Sequence, residues 1–114
     1  MDSLKKNRAF KAVYGRGVKH SNRLLAVYAF PNQMEGNRLG VSVSRKVGKA
    51  VVRNRIKRLV KENVRLFESQ VVKGYDIVVV ARVGAGKLEQ KEAFYSIGRT
   101  LRHLFSKQQL FLTN

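Results

Sequence analysis

The sequence predicts an α+β sandwich: a single domain in which helices cover a small four-stranded sheet, with elements in the order α-β-β-β-α-β-α. Three observations carry this. A chain of 114 residues, 44 % of them apolar, is long enough to bury one core and too short for two. Three stretches repeat apolar residues at the 3.6-residue period of an amphipathic helix. Between them lie short runs, alternating or wholly apolar, that are rich in β-branched and aromatic residues, as strands are.

The first helix is read in "SLKKNRAFKAVYGRG". Phe10, Val13 and Tyr14 fall at i, i+3 and i+4, Asn7 or Ser3 is the candidate cap, and Gly15 and Gly17 supply the stop. A short strand follows at "GVKHS". In "NRLLAVYAF" Leu24, Ala26, Tyr28 and Phe30 share one face of a strand, and Leu25, Val27 and Ala29 the other. The segment "PNQMEGN" holds the only proline and a glycine, which predicts a hairpin into the next strand. That strand, "RLGVSVS", puts Leu39, Val41 and Val43 on one face. Arg38, Gly40, Ser42 and Ser44 lie on the other, a surface suited to close approach by something polar.

The second helix spans a strongly basic segment. Val52, Ile56, Leu59, Val60, Leu66 and Phe67 form its apolar stripe. Lys57, Arg58, Lys61 and Arg65 gather opposite, Asn54 points into the centre of the polar face, and Arg53 and Arg55 flank the stripe. "YDIVVVARV" is apolar on both faces and reads as a buried strand broken by Gly84 and Gly86. The last helix, "LEQKEAFYSIGRTLRHLFSKQ", packs Phe94, Ile97, Leu101, Leu104 and Phe105 on the sheet.

Charge narrows the function. Lys and Arg number 24 against 7 Asp and Glu, a formal charge of +17. Such an excess repels itself in a compact monomer and calls for a polyanionic partner. Nucleic acid leads and an anionic membrane surface is the rival. Cysteine is absent, which excludes disulfides, thiol catalysis and cysteine-ligated zinc. No apolar run approaches a membrane span, and "MDSLKKNRAF" has no signal-peptide core, so a soluble cytoplasmic protein is expected. The acids are scattered, His20 sits in a basic loop and His103 beside a helix stripe, and "VGAGK" lacks the spacing of a nucleotide-binding loop. No catalytic constellation and no metal site is expected from these side chains.

Two positive signals remain. The basic helix carries almost no glutamate for i,i+4 pairing, so Arg53, Lys57 and Lys61 repel one another until phosphates arrive. Arginine offers a planar fork for phosphate oxygens, and Asn54 adds a neutral donor and acceptor between two such forks. The second signal is aromatic. Phe10 and Tyr14 share a face of the first helix, and Tyr28 and Phe30 a face of the adjoining strand. With that helix beside the sheet edge, they line a groove ringed by Lys6, Arg8, Lys11 and Arg16. A basic aromatic groove suits unpaired nucleotides.

The segments "LKKNRAFKAVYGRGVKHSNRLLAVY", "LGVSVSRKVGKAVVRNRIKRLVKE" and "YDIVVVAR" resemble the protein subunit of bacterial ribonuclease P in order and spacing, from about Leu4 to Phe105. "AVVRNRIKR" matches that family's RNR motif, and Tyr14 stands where the family often has Phe. The resemblance implies a protein that assists removal of the 5′ leader from precursor tRNA. A large catalytic RNA does the cutting with magnesium bound mainly by that RNA, and no small-molecule substrate or membrane is involved. It implies that Arg45, Lys46, Arg53, Asn54, Arg55, Lys57, Arg58 and Lys61 face the catalytic RNA. It also implies that a cleft between the first helix and the sheet holds the single-stranded leader, through Lys6, Asn7, Phe10, Tyr14, Arg16, Asn22, Arg23 and Tyr28, with Gly40 and Ser42 as its floor. The fold it implies is that of the second domain of a small-subunit ribosomal protein, with a left-handed β-α-β crossover through the basic helix, against the usual hand. Residues 1–114 are then one RNA-binding domain, with 107–114 as a flexible tail. A structural ribosomal protein and a free-standing nuclease are the alternatives. The aromatic groove argues against the first and the missing catalytic set against the second.

Overall fold

In the computed structural model, which describes residues 1–113, the chain runs β1 (Asp2–Ser3), α1 (Asn7–Arg16), β2 (Val18–Ser21), β3 (Leu25–Pro31), β4 (Arg38–Val43), α2 (Ala50–Phe67), β5 (Tyr75–Ala81), α3 (Val83–Gly86) and α4 (Gln90–Lys107). The α+β class holds. The sheet has five strands rather than four, because Asp2 and Ser3 add a short parallel strand beside β4. Ser3 is therefore sheet, not helix. α1 begins at Asn7 after Lys6, which makes no side-chain cap.

The strand order β1-β4-β5-β3-β2 puts β5 at the centre. Its apolar run is explained by cover on both faces. Ile77 and Val79 join the core under α2 and α4, and Val78 joins a smaller cluster under α1 with Leu4 and Val13. Each such aliphatic side chain contributes about 1.5–3 kcal/mol of burial. The predicted hairpin between β3 and β4 does not form. β5 lies between them, antiparallel to β3 and parallel to β4, so the more apolar strand takes the doubly covered place. The segment after Pro31 turns back through Asn32, whose N–H donates to the Gly74 carbonyl at 2.8 Å. Gly74 has φ +97°, a conformation other side chains rarely adopt. The true hairpin joins β2 to β3. There Asn22 Oδ1 accepts from the backbone N–H groups of Leu24 and Leu25 at 2.9 and 3.1 Å.

α2 connects β4 to its parallel neighbour β5 and is the crossover element. It packs on α4, with Ile56, Leu59, Val60, Val64 and Phe67 buried. Leu66 departs from the predicted stripe and is exposed, and Asn63 is buried instead. Asn63 Nδ2 donates to the Leu59 and Phe94 carbonyls at 2.9 and 3.1 Å. Gly98 makes room for it, since a Cβ there would stand 2.4 Å from Asn63 Oδ1. Past α4 the expected loose tail meets a packed arrangement instead, as far as the backbone of Leu112; position 114 lies outside the described residues. Leu110 is buried, its carbonyl accepts from Val72 N–H, and Leu112 N–H donates to the Gln70 carbonyl. An apolar pair, Leu110 and Phe111, explains why the end returns to the core.

Candidate nucleic-acid interface

The sheet register builds the first surface. On the face that carries α1, Arg38, Asp76 and Phe30 form one row, Gly40, Val78, Tyr28 and Lys19 the next, and Ser42, Val80, Ala26 and Ser21 a third. α1 crosses this face with Val13 buried against it. Phe10 sits on Gly40 so closely that a Cβ there would meet its ring at 2.5 Å. Gly40 is thus used for approach by an aromatic ring rather than by something polar. Tyr14 continues the line, 6.2 Å from Phe10 and 5.0 Å edge-on from Tyr28. Lys19 Nζ lies 5.6 Å over the Tyr28 ring. The result is an aromatic wall beside the third row, whose Ser42 and Val80 are only half-buried.

Phe10, Tyr14 and Tyr28 are therefore brought together. The other leader-site candidates are dispersed. Lys6 and Arg16 line a separate groove on the opposite flank of α1, with Arg8 and Phe30. Asn7 is exposed at the start of α1. Asn22 spends its side-chain acceptor on the β2–β3 turn, and its backbone carbonyl accepts from Arg82 Nη1 at 3.2 Å. Arg23 lines a 480 Å³ pocket with Arg82, Gly84 and Lys87 at the far end of the sheet. Position along the strand is readable from the sequence. The flank of α1 is not, because it depends on how the helix crosses the sheet.

The second surface is α2, on the opposite sheet face. Asn54, Lys57, Arg58, Lys61 and Arg65 line one polar groove of 420 Å³ with Glu62. Arg58 and Glu62 form an exposed i,i+4 pair at 3.7 Å. Arg53 and Arg55 are half-buried on the flanks while Asn54 is exposed, as the helical period predicts. Arg53 Nε donates to the Gly48 carbonyl at 3.1 Å and so ties loop 44–49 to the helix. Arg55 Nε is shielded and has no partner. In that loop Val47 is buried against Gly86, where a Cβ would stand 2.1 Å from the Val47 carbonyl oxygen. The packing leaves Arg45 and Lys46 exposed beside α2. Gly84 and Gly86 belong to α3, which supports this loop, and do more than end a strand.

The two histidines lie on different elements. His103 is exposed on α4, as expected. His20 is on strand β2 rather than in a loop, with Nδ1 shielded and unpartnered. Among the described residues no three His, Asp or Glu side chains gather as a metal site.

One acid stands out that sequence spacing does not single out. Asp76 is buried, and its carboxylate accepts Arg38 Nε at 2.8 Å and Nη2 at 2.6 Å, plus Asn32 Nδ2 at 3.0 Å. Burial pushes the Asp76 carboxyl upward, but the hydrogen bonds from Arg38 and Asn32 and the Arg38 charge outweigh it, holding it below the usual carboxylate range. A depressed carboxylate stabilises the fold above its unfolded value, about pH 4, and that stability goes as pH falls through the folded value. Asp76→Asn is expected to cost about 2 kcal/mol at neutral pH, discounted because Arg38 is partly exposed. The variant should also lose part of the acid-side fall in melting temperature. Parallel Tm-against-pH curves for variant and wild type, offset by a constant, would rule this out.

Comparison with known proteins gives the family and the fold. A family model for ribonuclease P matches residues 1–109. The ribonuclease P protein component of Clostridium kluyveri is 47 % identical over 110 residues, covering 95 % of each chain. That of Caldanaerobacter subterraneus is 42 % identical over 111 residues, covering 97 % of this chain and 92 % of the relative. Among solved structures, the RNase P protein of Staphylococcus aureus superposes with a TM-score of 0.88 at 34 % identity, over 98 % of this chain and 99 % of its own. The RNase P protein of Thermotoga maritima superposes at 0.81 with 31 % identity, over 94 % and 97 %.

Proposed function

The chain belongs to the ribonuclease P protein family, and from that premise we propose how its two surfaces divide the work. It is a subunit of the ribonuclease P endoribonuclease, in which it partners the RNA subunit and precursor tRNA during maturation of the tRNA 5′ end. Family membership removes the ribosomal alternative. In our reading the α2 face and loop 44–49 grip the catalytic RNA through Arg45, Lys46, Arg53, Asn54, Arg55, Lys57, Arg58 and Lys61. The aromatic wall of Phe10, Tyr14 and Tyr28, on the opposite sheet face, stacks unpaired leader bases over the Ser42 and Val80 strip.

This division supplies charge and stacking and leaves bond-breaking to the RNA. We assign magnesium to the RNA, whose phosphate oxygens suit an ion that keeps several waters and takes few protein carboxylates. No helix among the described residues is long and apolar enough to cross a membrane. We place the working protein in the cytoplasm, on its partners.

The observation that carries the leader reading is the Phe10–Tyr14–Tyr28 ladder. Each stacked base is worth about 1–3 kcal/mol whatever its identity. Phe10→Ala in the reconstituted holoenzyme is therefore expected to weaken binding of precursor tRNA about tenfold, with little change for leaderless tRNA. Equal losses for both substrates would assign Phe10 to packing on Gly40 alone.

A further inference from the structure

The groove on the other flank of α1 is unused by the function just described. It has a volume of 540 Å³. We propose that it is a second single-stranded RNA groove, holding leader nucleotides beyond those on the aromatic wall; the proposal rests on the leader reading above. Three features support it.

The groove is positively charged without compensation. Lys6, Arg8 and Arg16 line it and take part in none of the salt bridges formed among the described residues. Its single acid, Asp76, is already saturated by Arg38 and Asn32. An incoming anion thus meets free cations and a neutralised carboxylate. The floor, in contrast, is apolar. Phe30 is half-buried there, flanked by Pro31, Ala9 and Ala12. Ala9 and Ala12 present only small side chains on the helix side of the groove, while Arg8 and Arg16 stand two helical turns apart, about 12 Å along the axis. Cations at both ends of an aromatic floor suit an unpaired base with its flanking phosphates. A duplex presents no base face to such a floor.

The position selects the leader over the catalytic RNA. The groove opens on the α1 face of the sheet, as the aromatic wall does, whereas the basic helix α2 covers the other face. A strand leaving the wall needs only to cross α1 to reach it.

The test uses reconstituted holoenzyme and precursor tRNAs with a leader of about 5 or about 12 nucleotides, within the span that one small domain tracks. Wild type is expected to bind the long leader more tightly. Arg8→Ala combined with Phe30→Leu, a swap that keeps the floor apolar, should reduce that advantage about tenfold. Binding of the short leader and of the catalytic RNA should stay within about twofold, with melting temperature measured alongside. Equal losses on short and long leaders, or a long-leader advantage left intact, overturn the proposal. A loss confined to catalytic-RNA binding also overturns it and moves the groove to that partner. Phe10→Ala, run in parallel on the short leader, tests the aromatic wall separately, so failure of one reading is not mistaken for failure of the other.

Discussion

Replacing Lys57, Arg58 and Lys61 together by alanine is expected to weaken binding to the catalytic RNA by about 10³-fold while the melting temperature stays level or rises. The two effects have different origins. The three side chains line the same polar groove on α2, and they reach solvent rather than core. A hydrogen bond to a charged group is worth about 1.5 kcal/mol or more, and each 1.4 kcal/mol is tenfold in affinity. Three such bonds therefore give about three decades. Stability moves the other way, because Arg53, Lys57 and Lys61 repel along one helix face and alanine is the better helix former. The experiment is a titration of the catalytic RNA at several salt concentrations. The slope of log K against log salt should become shallower by about 2, at roughly 0.7 or more for each phosphate no longer neutralised. If affinity fell without any change in that slope, the groove would not be touching phosphate.

Much of this architecture is legible in the sequence wherever a local period decides it. Val13 under α1, the Ile77–Val79 centre of β5 and the alternation of β3 all follow from spacing alone. Pairing across the sheet is not legible. A turn after Pro31 predicts a hairpin equally well whether its strands end as neighbours or admit a third between them. The long-range preference of β5 for two covered faces decides the matter. The same limit applies to the interface. Phe10, Tyr14 and Tyr28 converge because helical and strand periods both point to one line. Phe30 and Arg16 fall on the other flank because of the angle at which α1 crosses the sheet, a tertiary quantity. Asp76 finds Arg38 only through the parallel register of β4 and β5. Its sole sequence signal is an acid opening an otherwise apolar strand.

Phe105→Ala is expected to be the most destabilising of these single substitutions, lowering stability by about 3–5 kcal/mol. Phe105 is 0 % exposed. Its ring lies 5.1 Å from Phe67 on α2 and 6.0 Å from Phe111, and Phe67 and Phe111 are themselves 5.3 Å apart. These three rings join α4, the C-terminal end of the basic helix α2 and the returning tail. Truncation leaves a cavity that two further aromatic side chains cannot both fill. Against a total of about 5–15 kcal/mol for a domain of this kind, the loss corresponds to a fall in Tm of about 15 °C or more. Phe105→Leu retains most of the volume and should cost about 1.5 kcal/mol or less. Binding links this to function. RNA held at about 100 times its Kd returns about 2.7 kcal/mol to the folded state. The alanine variant should therefore melt far below wild type when free, and RNA at that excess should raise both melting temperatures in parallel, bringing the bound variant part of the way back to free wild type. A free-protein Tm within a few degrees of wild type would mean that the tail and the two helices do not form one cooperative unit. The same result would leave the orientation of α2, and with it the polar groove along it, to be explained by the β4–α2–β5 crossover alone.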